Sequence, residues 1–107
     1  MFGRPPVVEF PIRWMPGSAV DVREPVVTEL AECAERALGA TAAVAGIEGP
    51  CDLFVFHEFG MPAVLWGPAG GNLHAADEYV ELESLESAAK VLLLFVARWC
   101  GGSLAAG

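Results

Sequence analysis

The sequence is poor in basic residues. Six Lys and Arg side chains stand against 14 Asp and Glu in 107 residues, which gives a formal net charge of −8 at pH 7. Binding to a nucleic-acid backbone needs clustered Lys and Arg to neutralise the phosphates. This composition therefore argues against nucleic acid as a partner.

Cysteines and long apolar runs are also scarce. Cys33, Cys51 and Cys100 are an odd number without CxxC spacing, which favours neither a disulfide framework nor a zinc knuckle and fits a reducing cytoplasm. The N-terminal residues MFGRPP show no secretory signal. The longest apolar run, Val91 to Ala97, is much shorter than the roughly 20 residues of a membrane span. We therefore expect a cytoplasmic protein without membrane association, in which this run forms a buried helix.

The first part of the chain shows two periodic segments. Side chains alternate from Val7 to Trp14, which predicts an edge strand, followed by a hinge at residues 15–19. Asp21 and Glu24 have capping-box spacing, so a helix is predicted from about Val22 to the residue before Gly39. Its expected core face has a four-residue spacing: Val26, Leu30, Ala34 and Leu38.

The second part alternates apolar segments with helical patterns. Two short strands are predicted at Thr41 to Gly46 and Met61 to Trp66, paired in parallel, with a short helix between them from Asp52 to Phe59. A last helix is predicted from near Ser84 to Gly101, buried against the sheet. Strands alternating with helices predict the α/β fold class.

A glycine-rich loop after the second predicted strand is the strongest candidate for chemistry. It covers residues 67–78 and contains His74 close to Asp77 and Glu78. Ligand sites of α/β proteins favour such loops, and a His near carboxylates is a plausible metal ligand. A structural histidine in a simple turn is the alternative that the residues leave open. A phosphate site is disfavoured because the Lys and Ser/Thr of a P-loop are missing.

Several short motifs occur in a defined order over the second half of the chain. They are Gly49 with Asp52, Gly60 with Pro62 and Ala63, Gly67-Pro68, and His74 followed by Asp77-Glu78-Tyr79-Val80. In this order they resemble the closing segment of the acetylornithine deacetylase and succinyl-diaminopimelate desuccinylase family of zinc-dependent amidohydrolases and metallopeptidases.

The resemblance implies a fold and a domain division. Residues 21–107 would be the C-terminal part of a catalytic domain with a zinc-aminopeptidase-like sheet flanked by helices. Residues 1–20 would be the tail end of a dimerisation (lid) domain, contributing an edge strand and a hinge. The substrate would be a small N-acyl amino acid or peptide.

The resemblance also implies site residues. His74 would be the C-terminal histidine ligand of a two-zinc site, and Asp77 and Glu78 would fix the loop without binding metal. The expected substrate-binding residues are Gly49, Asp52, Gly70, Gly71 and Asn72. Cys51 is not expected to be a nucleophile, because no basic residue adjoins it, and His57 is expected to be exposed and without a role.

Most of the chemistry of such a hydrolase is missing from the sequence. The chain contains no His-x-Asp motif and no Glu-Glu dipeptide, so it has no predicted catalytic residue and His74 is its one predicted zinc ligand. We therefore expect the isolated chain to be inactive, as a fragment, a split subunit completed by the remainder of the hydrolase, or a degenerate remnant. Self-association as a homo-oligomer is a further expectation. The competing hypothesis is a non-catalytic α/β interaction module without a metal role.

Overall fold

The computed structural model describes residues 3–9 and 15–101 of the chain. The elements in chain order are α1 (Pro25–Leu38), α2 (Leu53–Glu58), β1 (Gly70–Gly71), β2 (Tyr79–Val80) and α3 (Leu82–Trp99). The two short strands pair antiparallel, with Gly70 opposite Val80 and Gly71 opposite Tyr79. This mixture of helices and strands is compatible with the predicted α/β class.

Helix α1 starts three residues later than predicted and ends where predicted. The Asp21 carboxylate does not cap the helix, because it accepts hydrogen bonds from the Arg23 backbone N–H at 2.8 Å and from the Arg23 guanidinium. Pro25 occupies the first turn, where its missing N–H costs no helical hydrogen bond. At the other end Gly39 has a φ of 70° and donates its N–H to the Glu35 carbonyl at 2.8 Å.

The buried face of α1 lies beside the predicted one. A strict four-residue spacing rotates around a helix by about 40° per step, so it cannot follow one face for long. Leu38 is accordingly exposed and Val26 is half-buried. The buried residues of α1 are Val27, Leu30, Cys33 and Ala34.

The core forms where α1 packs against α3. Leu30, Cys33 and Ala34 meet Val91 of α3, and both Cys33 and Val91 are 0% exposed. Val64 and Trp66 from the segment before the glycine-rich loop cover this cluster. The Trp66 indole N–H donates to the Ala88 carbonyl at 3.2 Å, which ties that segment to α3.

Helix α3 is less buried than its apolar sequence predicts. It begins at Leu82, ahead of Ser84, and ends before Gly101. Its buried residues are Ala88 and Val91, and several of its large side chains remain exposed, because it packs mainly against α1 and not within a sheet. None of the helices in residues 3–9 and 15–101 combines the length and apolar character that a membrane crossing requires.

The predicted strands do not form among the described residues. Residues 41–46 and 61–66 carry no strand assignment, and no backbone hydrogen bond joins them in the described part of the chain. The apolar pattern identified segments that are buried on one side. A parallel β-sheet also needs a hydrogen-bonded partner strand at about 4.8 Å, which the pattern does not specify. Of the predicted N-terminal strand, residues 7–9 are exposed and without strand structure, and residues 10–14 lie outside the described residues.

Replacing Val91 with Ala tests whether the helix pair carries the stability. The substitution should lower the free energy of unfolding by about 2 kcal/mol, because it removes buried methyl groups and leaves a cavity. Val8→Ala is the matched control, since Val8 is 73% exposed, and it should change stability by less than about 0.5 kcal/mol. Equal effects of the two substitutions in urea unfolding would contradict this assignment of the core.

Candidate functional site

The loop that carries His74 is anchored to the first turn of α3. The Ala69 backbone N–H donates to Ser84 Oγ at 2.9 Å, and the Glu81 backbone N–H donates to the Ala69 carbonyl at 2.9 Å. The Ser84 hydroxyl also lies 2.8 Å from the Glu81 carbonyl oxygen. The start of the loop is therefore held by both backbone and side chain where α3 begins.

The paired glycines of the loop allow the two short strands to approach closely. A Cβ atom on Gly71 would lie 2.7 Å from both Cε1 and the hydroxyl oxygen of Tyr79. A Cβ atom on Gly70 would collide with the Tyr79 carbonyl group. Glycine is needed at both positions for packing within the hairpin, whatever else these residues contact.

Three non-glycine residues between the strands have left-handed backbone conformations. Their φ angles are 57° at Asn72, 61° at His74 and 57° at Asp77. The Asn72 side-chain amide donates to the Asp77 carbonyl oxygen at 3.3 Å, and the Ala75 backbone N–H donates to the Asn72 carbonyl oxygen at 2.9 Å. Asn, Asp and His are the non-glycine residues that adopt this conformation most often, and its cost to an L residue is about 1 to 2 kcal/mol.

His74 itself is exposed on this loop. Within residues 3–9 and 15–101 its imidazole makes no hydrogen bond or ion pair with the protein. Closure of the hairpin accounts for the residue types at Gly70, Gly71 and Asn72. It does not account for a histidine side chain at position 74.

The other predicted site residues lie in different places. Asp52 precedes α2 without a side-chain capping hydrogen bond, although its carbonyl accepts from the Val55 N–H at 3.0 Å. Gly49 lines a cavity of about 770 Å³. Gly70 and Gly71 line a separate cavity of about 350 Å³, and in the described part of the molecule neither cavity is lined by Asp52, Asn72 or His74. The described chain therefore does not bring these residues into one pocket.

His57 is more buried than the sequence predicts. It is half-buried on α2, and its Nε2 lies 3.1 Å from the Ala63 carbonyl oxygen. If Nε2 carries the proton, it donates to that carbonyl and ties α2 to the segment at residues 61–66. Its Nδ1 is buried without a partner among the described residues. No local sequence signal marks this contact, because it depends on how the chain turns after Gly60.

The described residues do not form a complete zinc site. Nowhere in residues 3–9 and 15–101 do at least three His, Cys, Asp or Glu side chains come together in a group that could hold a metal ion. Zinc sites in proteins use three or four protein ligands. His74 alone does not fit a bound zinc ion, so no reaction step of this chain is derived through a metal.

The family is shown by comparison with known proteins. The model of peptidase family M20/M25/M40 matches residues 7–98, and the chain therefore belongs to this family. Its members are generally zinc-dependent, and membership places the chain among metal-dependent hydrolases and their relatives. No curated protein and no solved structure gives a significant match.

Substitution of Gly71 tests the geometry of the hairpin. Gly71→Ala should destabilise the chain by about 1 to 3 kcal/mol, because the new methyl group collides with the Tyr79 ring. In a Tyr79→Ala background the same substitution should cost less, which a double-mutant cycle in urea unfolding measures. Gly67→Ala is the control, since nothing lies within 4 Å of a Cβ atom there. An unchanged cost of Gly71→Ala without the ring would refute the proposed collision.

Proposed function

We propose that this chain is the C-terminal portion of a metal-dependent hydrolase that cleaves the amide bond of N-acyl amino acids, as acetylornithine deacetylases do, or of small peptides. The observation that carries the proposal is the family match, which runs through the His74 loop and most of α3. The finer assignment to the acetylornithine deacetylase branch is supported by the order of motifs from Gly49 to Val80.

His74 is the residue that we assign to the zinc site of the assembled enzyme. Its imidazole is exposed, and its backbone has a left-handed conformation within a hairpin anchored to the first turn of α3. Gly70, Gly71 and Asn72 are proposed to contact substrate in addition to their roles in the hairpin.

The remaining zinc ligands and the general base would come from the remainder of the hydrolase. The chain has neither the His-x-Asp motif nor the Glu-Glu dipeptide that the family resemblance requires. We therefore propose that the chain is inactive when isolated.

The segments at residues 42–47 and 63–66 support completion by further strands. Both segments line the cavity of about 770 Å³ and have no strand partner in the described part of the chain. In the proposed zinc-aminopeptidase-like sheet they would pair with strands of the remainder. Gly49 and Asp52 would then face substrate from the turn before α2, with residues 1–20 belonging to the lid domain and residues 21–107 to the catalytic domain.

A non-catalytic interaction module or degenerate remnant is the second candidate. It is favoured by the separation of the predicted site residues between two cavities and by the packing role of the loop glycines. In that case the loop would stabilise the hairpin without contributing to a metal site.

Zinc content and hydrolysis of N-acetylated amino acids would separate the two candidates. The purified chain alone should bind no stoichiometric zinc and show no turnover. Mixed with the upstream segment of a family enzyme, it should gain both, because the missing ligands are then supplied. Zinc-dependent turnover by the chain alone would overturn the proposed inactivity, and no gain in the mixture would favour the interaction module.

Substitutions of His74 connect that result to the loop. His74→Ala and His74→Gly should both abolish turnover of the mixture, whereas His57→Gln should retain it. The glycine variant should be the more stable of the two, because glycine adopts a positive φ without the cost that alanine has. Loss of activity in both His74 variants, despite their different stabilities, would separate a missing ligand from a disrupted loop. Full activity of both would remove His74 from the site.

A further inference from the structure

Ser84 is a polar residue on the side of α3 that the fold buries. It precedes Ala88 by four residues and Val91 by seven, a spacing that places all three on one side of the helix. Ala88 and Val91 are buried, and Ser84 is half-buried. Apolar side chains are usual along such a stripe. The contacts of the hydroxyl group account for the polar residue at its N-terminal end.

The Ser84 hydroxyl contacts both ends of the hairpin that carries His74. Its oxygen accepts the Ala69 backbone N–H at 2.9 Å, immediately before β1. It also lies 3.1 Å from the Ala69 carbonyl oxygen and 2.8 Å from the Glu81 carbonyl oxygen, immediately after β2. A hydroxyl group has one proton to donate. When that proton is donated over the shorter distance, the side chain links the start of the hairpin to its end.

The chain approaches the hairpin along the same side of α3. The Trp66 indole N–H donates to the Ala88 carbonyl oxygen at 3.2 Å. Three residues later Ala69 is held at Ser84, one helical turn nearer to the start of α3. Ser84 therefore holds the chain at the point where it enters β1.

The direction of the His74 side chain depends on the backbone of this hairpin. Within residues 3–9 and 15–101 the imidazole makes no hydrogen bond or ion pair that could orient it. Each strand of the hairpin has two residues, and a two-stranded hairpin has little stability by itself. The hydrogen bonds at its base are therefore important for the position of His74.

We propose that Ser84 is a positioning residue for His74. Its hydroxyl group holds the base of the hairpin in the geometry that presents the imidazole to the site of the assembled enzyme. Ser84 itself would contact neither the substrate nor the reacting atoms. The inference rests on the proposed function, in which His74 is a site residue. Misplacement of a site residue by about 1 Å can lower a rate about 100-fold.

Ser84→Ala and Ser87→Ala are a matched pair for testing this role in the isolated chain. Ser87 is also half-buried on α3, and its hydroxyl makes no hydrogen bond within the described residues. In nuclear magnetic resonance spectra, Ser84→Ala should shift the amide signals of Asn72 and His74. It should also speed hydrogen exchange of the Ala69 amide about fivefold, as expected when one hydrogen bond is lost. Ser87→Ala should change neither.

Ser84→Thr should behave like the wild type in these spectra, because threonine keeps the hydroxyl group. Circular dichroism of all three variants should show the helical content of the wild type, which excludes unfolding as the cause. Unchanged signals of His74 in Ser84→Ala, or equal changes in Ser87→Ala, would overturn the proposal.

Turnover by the mixture with the upstream segment of a family enzyme tests the consequence for catalysis. Ser84→Ala should lower kcat for N-acetylated amino acids about tenfold. Ser84→Thr should restore most of it, and Ser87→Ala should keep the wild-type kcat. An unchanged kcat in Ser84→Ala would overturn the positioning role. A wild-type mixture without turnover would instead overturn the proposed hydrolase, and the spectra of the isolated chain would still decide whether Ser84 holds the loop.

Discussion

The contact between α1 and α3 is the interaction on which the rest of this structure depends. Cys33 and Val91 are fully buried in it, and burial together with the nearby Glu29 raises the pKa of the Cys33 thiol. At the edge of the contact Arg98 forms an ion pair with Glu29, and this hydrogen bond raises the pKa of the Arg98 guanidinium. The segment at residues 61–66 belongs to no sheet within the described part of the chain, and its Val64 and Trp66 pack against the helix pair.

The geometry of the His74 loop follows from this contact in short steps. Helix α3 is fixed by α1, and its first turn holds Ala69 through Ser84 and the Glu81 backbone. From Ala69 the chain enters β1, whose glycines allow Tyr79 of β2 to lie close by. Between the strands Asn72, His74 and Asp77 have left-handed conformations. A change in the helix pair would therefore reach His74 through backbone contacts.

Local features of this fold could be predicted from sequence, and pairings could not. Gly39, Gly60 and Gly101 mark helix ends because a positive φ is a property of single residues. The predicted strands at residues 41–46 and 61–66 were wrong for the described residues. An apolar pattern indicates that one side of a segment is buried, but it does not indicate which segment pairs with its backbone. Likewise, the contact of Tyr79 with Gly71 and the buried position of His57 depend on chain directions that no short window contains. For the site, motif order predicted the broader peptidase family, and the acetylornithine deacetylase branch stays a prediction. The separation of Gly49 from Gly70 was visible only in the structure.

Structural and functional explanations of the loop can be separated residue by residue. The close approach of Tyr79 accounts for glycine at positions 70 and 71. The hydrogen bond to Asp77 accounts for asparagine at position 72. The choice of these three residue types therefore has a structural explanation that involves no ligand. His74 differs, because no hydrogen bond or ion pair within the described residues uses its imidazole. His74 is also the residue that the family resemblance assigns to zinc. For that reason a functional interpretation of the loop depends on His74 more than on its glycines.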